Sequence, residues 1–242
     1  MLIQNTLDWL ISCKSGKVLF SSSSECYAAT TEKLNFEIPT AEDVPLAIEQ
    51  IGHPRFTYAV TKIFGESAFL NYSKVYNFPL TIVRYQNIFG PRMGFKHVIP
   101  HLVERFLQDQ EEFKIYGAHQ TRAFCYLSDA AKGTVLAMES SSSNQEVFHI
   151  GSDKEITIEE LTTYVGEIMN YNGRYTNAET YPGSVSRRCP DITKARNILN
   201  YNPVVNWKDG VKKTVLWYVN YFKSGNKNHT GGFKPPDKLL IK

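Results

Sequence analysis

Residues 17–28 read KVLFSSSSECYA, and this stretch decides the fold. Four residues, Lys17 to Phe20, form a short apolar-rich run that breaks at once into hydroxyl side chains. A run of that length bounded by small polar residues predicts a buried strand opening into a loop at its carboxyl end. Upstream, Thr6 to Ser12 places Leu7, Leu10 and Ile11 on one helical face, with Gly16 as the expected C-cap. Downstream, residues 28 to 55 are polar and Pro-bearing and predict a long loop over a site. A helix is expected from about Phe56 to Val75, then a strand at LTIVRY (80–85).

The alternation continues to the end of the chain. FKIYG (113–117) reads as extended, and Ser128 or Asp129 is placed to cap a helix over Ala130 to Met138. EVFHIG (146–151) reads as a further buried strand, and Thr157 with Glu160 forms a capping box before LTTYVGEIM. Asp191 is expected to open a short helix and Asp209 to Phe222 to form the last amphipathic one. Strands alternating with helices predict an α/β fold with a largely parallel sheet.

The chain has 242 residues, 42% of them hydrophobic, enough to bury a full-sized core. The 27 basic and 24 acidic residues leave a formal charge of +3 and are scattered, which gives no support for nucleic-acid or membrane-surface binding. Cys13, Cys26, Cys125 and Cys189 show neither CxxC pairing nor metal-ligand spacing with the histidines, so reduced thiols and no metal are expected. His97 and His101 lie four apart, but Pro100 between them argues against a regular metal-binding helix. The opening residues lack the basic region and cleavage site of a signal peptide. No run approaches the roughly eighteen apolar residues of a membrane span. A soluble, cytoplasmic protein is expected.

The chemistry centres on YAVTK (58–62). Tyr58 and Lys62, four apart on a helix, project from one face. A free phenol titrates near pH 10 and is a poor base, but an ammonium beside it favours the phenolate. Such a couple can take a proton near neutral pH. By itself the pattern is also that of two ordinary helix residues. The hydroxyl-rich strand end before it supplies context, because open α/β sheets bind ligands at the carboxyl ends of their strands.

Five motifs stand in order: the SSSE-x-Y stretch, the Y-x-x-x-K couple, R-x-x-N-x-x-G-P-R (84–92), Q-T-R-A-F-x-Y-x-x-D (120–129) and R-x-P-D (188–191). In this the sequence resembles the extended short-chain dehydrogenase/reductase family, specifically its NAD-dependent nucleotide-sugar epimerases, dehydratases and decarboxylases, from Asn5 to about Phe222. The resemblance implies an incomplete Rossmann-like parallel sheet with a smaller α/β substrate-binding domain. Residues 1–85 would be the carboxyl-terminal part of the cofactor domain. Residues 86–222 would be mainly substrate-binding, with returning Rossmann strands near 112–150, and 223–242 a loose tail.

The resemblance also implies roles. Tyr58 would accept the proton of the sugar 4-hydroxyl while hydride passes to NAD. Lys62 would hold the tyrosine ionised and bond the nicotinamide ribose, beside Ser21. Ser23, four residues before Tyr27, would bond the sugar oxygen and Tyr58. Ser24, Asn87, Val98, Tyr116, Arg122 and Arg188 would contact a UDP- or dTDP-linked sugar, the arginines as planar, permanently charged forks. Arg92 is expected to be a structural residue of its turn.

Sugar dehydratases of this family usually carry Asp then Glu after the hydroxyl residue, whereas here Ser24 stands in the Asp place before Glu25. The Ser-Ser-Glu order with Arg122 is more like the UDP-glucuronate decarboxylases, though epimerase-like members share it. Glu25 is thus a candidate proton-transfer residue, equally readable as a solvated capping group, and the subclass stays open. The resemblance further implies a homodimer through the helix bearing Tyr58 and the one before the Ser-rich strand. A non-catalytic sugar-nucleotide-binding or dimerising remnant is the alternative.

The sequence contains no G-x-x-G-x-x-G or G-x-G-x-x-G. Its start resembles a point inside the family's cofactor domain, two to three βα units in, or roughly 80 residues at about 30 per unit. Either the chain is a truncated product or fragment, or those units come from elsewhere. Without the Gly turn no helix N-terminus holds the pyrophosphate, and this polypeptide alone is expected to bind NAD weakly or not at all. Micromolar affinity in a calorimetric titration would contradict that.

Overall fold

A computed structural model describes residues 2–14, 16–108, 111–180 and 184–224. The tail beyond Ser224, expected to be loose, lies outside the described residues. In chain order the elements are α1 (Leu2–Ser12), β1 (Val18–Ser23), α2 (Thr57–Tyr76), β2 (Leu80–Tyr85), β3 (Ile88–Phe89), α3 (Val98–Phe106), β4 (Glu112–Tyr116), β5 (Thr121–Ala123) and β6 (Cys125–Tyr126). They continue as α4 (Leu127–Glu139), β7 (Glu146–Ile150), β8 (Glu155–Thr157), α5 (Ile158–Ile168), β9 (Arg174–Ala178), β10 (Arg187–Arg188), α6 (Thr193–Leu199) and α7 (Trp207–Lys223). The fold is α/β.

Its centre is a parallel sheet of order β1-β2-β7, in register so that Ser23, Tyr85 and Ile150 end side by side. Leu80, Ile82 and Phe69 of one core pack with Leu7 of α1, and Val83, Phe148 and Ile150 of another pack with Ala130 and Ala137 of α4 and Leu199 of α6. Helices on both faces are why β2 is buried almost throughout. Among the described residues β1 pairs only with β2 and forms an edge.

A third core joins α3, α5 and α7 to β4, with Phe106 and Phe113 stacked at 3.8 Å between centroids. Phe113 and Ile115 point into that core, and β4 pairs with β9 instead of entering the central sheet. Within 112–150, therefore, only β7 returns to that sheet.

Most elements fall where local pattern puts them, and the exceptions have causes. The capping box forms as read, with Thr157 Oγ1 accepting from the Glu160 N–H at 3.0 Å and Glu160 Oε2 accepting from the Thr157 N–H at 2.6 Å. Past α1 it is Lys14, with φ 48°, that adopts the left-handed conformation expected of Gly16. Asp129 does not cap α4, which begins at Leu127; its buried carboxylate accepts the N–H groups of Val204 and Val205 at 3.0 and 2.8 Å. Pro100 does not interrupt α3, because the helix starts at Val98 and first-turn residues have no intrahelical N–H partner to lose. Among the described residues no helix is long and apolar enough to cross a membrane.

The 28–55 loop is tied back to the end of β1, where Ala47 donates to Cys26 O (3.1 Å), and at its middle. Ala29 donates to Ala47 O (2.9 Å), Thr40 donates to Cys189 O (2.9 Å), and Asp191 donates to Thr40 O (2.8 Å). It thereby packs the end of β1 against the segment that carries β10.

Candidate active site

Tyr58 and Lys62 occupy the first two turns of α2, and Tyr58 is half exposed. Gly65, one turn on, lets the helix approach β1: a Cβ there would run into the Phe20 ring. This brings the Lys62 Nζ to 2.6 Å from Ser21 O and 5.3 Å above Phe20, with the Tyr58 ring centroid 5.6 Å away. Val18 donates to Pro79 O, just before β2, and backbone groups alternate sides along a strand. Residues 19, 21 and 23 therefore turn their N–H and C=O to the open edge, and the Lys62 ammonium caps that edge at Ser21. Burial lowers the Lys62 pKa, partly offset by the nearby Cys26.

At the carboxyl end of β1 the chain makes one 3-10 turn, Ser24–Tyr27. Ser23 Oγ accepts the Glu25 N–H at 3.2 Å, so this hydroxyl caps the turn. Ser24 is buried. Glu25 Oε1 accepts from Arg188 Nη1 at 2.6 Å, a partly buried ion pair between residues far apart in sequence. Arg188 lies in register with Arg122 on the neighbouring strand. Arg122 donates to the carbonyls of Val185 (2.6 Å) and Ser186 (3.3 Å), bracing the approach to β10.

Asn87, with φ 44°, donates from Nδ2 to Ala123 O at 3.3 Å, and its own carbonyl accepts the Cys125 N–H. Val98 opens α3 against the third core, and Tyr116 ends β4 with the Arg105 guanidinium 5.3 Å from its ring. The fold thus gathers Tyr58, Lys62 and Ser21 at one point and Glu25, Arg122 and Arg188 at another, with Ser23 between them in the chain. Val98 and Tyr116 belong to the side built on the third core.

The sequence reading missed a buried polar network behind this cluster. Arg84, on the apolar strand β2, forms a two-pronged pair with Glu66 of α2, Nε to Oε1 at 2.8 Å and Nη2 to Oε2 at 2.6 Å. It also donates to Glu42 O (2.7 Å) and to the Tyr27 hydroxyl. His149 Nδ1 bonds Asp191 O at 2.9 Å, an acceptor without a proton, so Nδ1 carries the proton; Nε2 then accepts from Tyr27 at 2.8 Å. Glu42 Oε1 lies 3.8 Å from Nδ1, but it takes the His149 backbone N–H at 2.9 Å, and burial raises its pKa. The legible signal was a lone arginine inside LTIVRY, because a charge in a doubly covered strand needs a partner.

Burial, with Arg84 nearby, holds the His149 pKa down at about 3, against about 6.5 for a free histidine. Below pH 6.5 the unfolded chain binds a proton that the folded chain refuses. Stability from this group is complete above pH 6.5 and drains away as the pH falls toward 3, with a limiting slope of about 1.4 kcal/mol per pH unit. Denaturant unfolding at pH 7 and pH 5 should show the loss, and His149→Gln should flatten that part of the profile. An unchanged profile in the variant would contradict it.

A family model described as "NAD dependent epimerase/dehydratase family" matches residues 1–151. The UDP-N-acetyl-alpha-D-glucosaminuronate decarboxylase of Bacillus cytotoxicus is 32% identical over 212 residues, covering 84% of this chain and 63% of that protein. A putative UDP-glucose 4-epimerase of Methanocaldococcus jannaschii is 28% identical over 219 residues, covering 89% and 67%. The crystal structure of UDP-glucuronic acid 4-epimerase from Bacillus cereus with UDP-glucuronic acid and NAD superposes with a TM-score of 0.73 at 26% identity, covering 91% of this chain and 67% of that one. The chain therefore spans about two thirds of the length of these relatives, and 63% of the first.

Proposed function

The chain belongs to the NAD-dependent epimerase/dehydratase family, and from that premise we propose that it serves a cytoplasmic nucleotide-sugar epimerase/dehydratase-type reaction through a 4-keto sugar. The observation that carries this is the placement of Lys62 on the outward edge of β1 beside Tyr58, one strand end from the Glu25–Arg188 pair. Tyr58 takes the proton of the sugar 4-hydroxyl, with the Lys62 ammonium beside its ring. NAD bound there would supply the hydride acceptor for C4. Lys62 and the edge groups of Ser21 fit its nicotinamide-ribose end, whereas the sequence holds no Gly-rich turn for its pyrophosphate. The ketone acidifies the neighbouring C–H, and Glu25 is the carboxylate proposed to move that proton. Arg122, Arg188 and Asn87 supply the charge and amide for a UDP- or dTDP-linked sugar.

A decarboxylase-like reading draws support from the Glu25–Arg188 pair itself. A guanidinium already bound to one carboxylate is a group for which a uronate carboxylate competes. The 4-keto group then weakens the bond to that carboxylate. Supplying UDP-glucose, UDP-glucuronate and dTDP-glucose with NAD and separating the products decides between epimer, dehydrated ketone and pentose. No product from any of them favours the non-catalytic remnant.

The pairing surface of a homodimer is proposed on α1 and α2, which expose Leu2, Trp9, Phe64, Val75 and Tyr76. Sedimentation should give twice the monomer mass, and Trp9→Glu with Phe64→Glu should return it to one; a wild-type monomer at all concentrations would remove the proposal.

A further inference from the structure

Between the 24–27 turn, the 28–55 loop and residues 187–190 lies a small pocket lined by Tyr27, Thr31, Thr40, Gln86, Arg188 and Cys189. Its volume is about 10 Å³, room for one water-sized group. Gln86 is 2% exposed. Its backbone N–H is used by Ile150 O at 3.0 Å, but its side-chain amide has no hydrogen-bond partner among the described residues and lines the pocket. The amide is open to that space and not sealed from water, and polar groups so placed are normally satisfied by water or ligand.

Apart from Thr31, the other polar side chains of the lining are already engaged. The Tyr27 hydroxyl lies between Arg84 and His149. Thr40 Oγ1 donates to Glu37 O at 3.2 Å. Arg187, which also borders the pocket, is held by Glu155 at 2.6 Å and Arg188 by Glu25 at 2.6 Å. Each cation bordering the pocket thus has its carboxylate, so nothing there selects for an anion. What remains is one amide, able to donate and accept, in a space for a single heavy atom, with the half-buried Thr31 also in the lining. A hydroxyl group matches in size, neutrality and hydrogen-bonding sense.

We infer that this pocket reads one hydroxyl of the sugar, with Gln86 as the residue that determines the preference. Arg188 borders the pocket and binds Glu25, so the pocket adjoins the face proposed for the sugar. The inference rests on the nucleotide-sugar reading, and the experiment separates the two. The full chain is titrated calorimetrically with UDP and dTDP. The tighter nucleotide's glucose conjugate is then compared with its 2-, 3- and 6-deoxy analogues.

One deoxy analogue should bind about ten-fold more weakly than the parent, and Gln86→Leu should erase that gap while binding the bare nucleotide as before. Thr31→Val, at a half-buried position, should narrow the same gap and serves if Gln86→Leu does not fold. No gap in the wild type, or a gap that survives these substitutions, overturns the subsite while nucleotide binding leaves the wider reading standing. A crystal structure with the glucose conjugate showing only water on the Gln86 amide overturns it equally. Absence of binding by both nucleotides and both glucose conjugates overturns the nucleotide-sugar reading, and the subsite with it.

Discussion

Tyr58→Phe should lower sugar turnover about a thousand-fold, within the range for loss of a positioned acid–base group, and leave sugar-nucleotide affinity nearly unchanged. The substitution removes one oxygen from a half-exposed ring at the start of α2. It leaves the Lys62 contact with Ser21 O in place. A fall in turnover without a fall in affinity is the signature of a group that acts in the transition state and not in holding the ground state. The measurement needs single-turnover rates and calorimetric affinities for the same UDP- or dTDP-sugar, with unfolding curves to show equal stability. If the variant turns over within three-fold of the wild type, as an order-of-magnitude limit set by the same comparison, the Tyr–Lys couple is not the proton acceptor and the proposed chemistry falls.

The second large effect is on stability. Glu66→Leu should destabilise the fold by about 3–5 kcal/mol, because it leaves the Arg84 guanidinium buried without its carboxylate. For a chain of this size that corresponds to a fall in Tm on the order of 10 °C. The double substitution Glu66→Leu with Arg84→Met should recover much of the loss, since an apolar pair of similar volume replaces two desolvated charges. Recovery should stop short of complete, because Tyr27 and the Glu42 carbonyl also lose a donor. Thermal unfolding of the three variants beside the wild type measures this. A Glu66→Leu protein within about 1 kcal/mol of wild type, the value of an exposed pair, would mean that Arg84 is not held in a dry interior.

Tyr27 links that network to the site. Its hydroxyl is fixed by Arg84 and His149, and the turn it ends carries Glu25. His149 in turn holds the Asp191 carbonyl, three residues beyond Arg188. The partners of the 2.6 Å Glu25–Arg188 pair are thus anchored from opposite sides by one buried chain of hydrogen bonds. The anchoring follows from burial, since each group in it lacks water as an alternative partner.

The spacing of residues by itself determined the helices other than α3, the strands β1, β2, β4 and β7, the parallel α/β character, the capping box at Thr157 and the placement of Tyr58 and Lys62 on one helix face. All of these are local: helix and strand periods fix which side chains share a face before anything else folds. It was tertiary structure that set Glu25 against Arg188, 163 residues away, sent Arg84 to Glu66, put Lys62 on the outward carbonyl of Ser21 and left the Gln86 amide facing a pocket. Those contacts depend on which strand ends the parallel crossovers bring together and on which polar groups the packing deprives of water, and neither is written in the spacing of neighbouring residues.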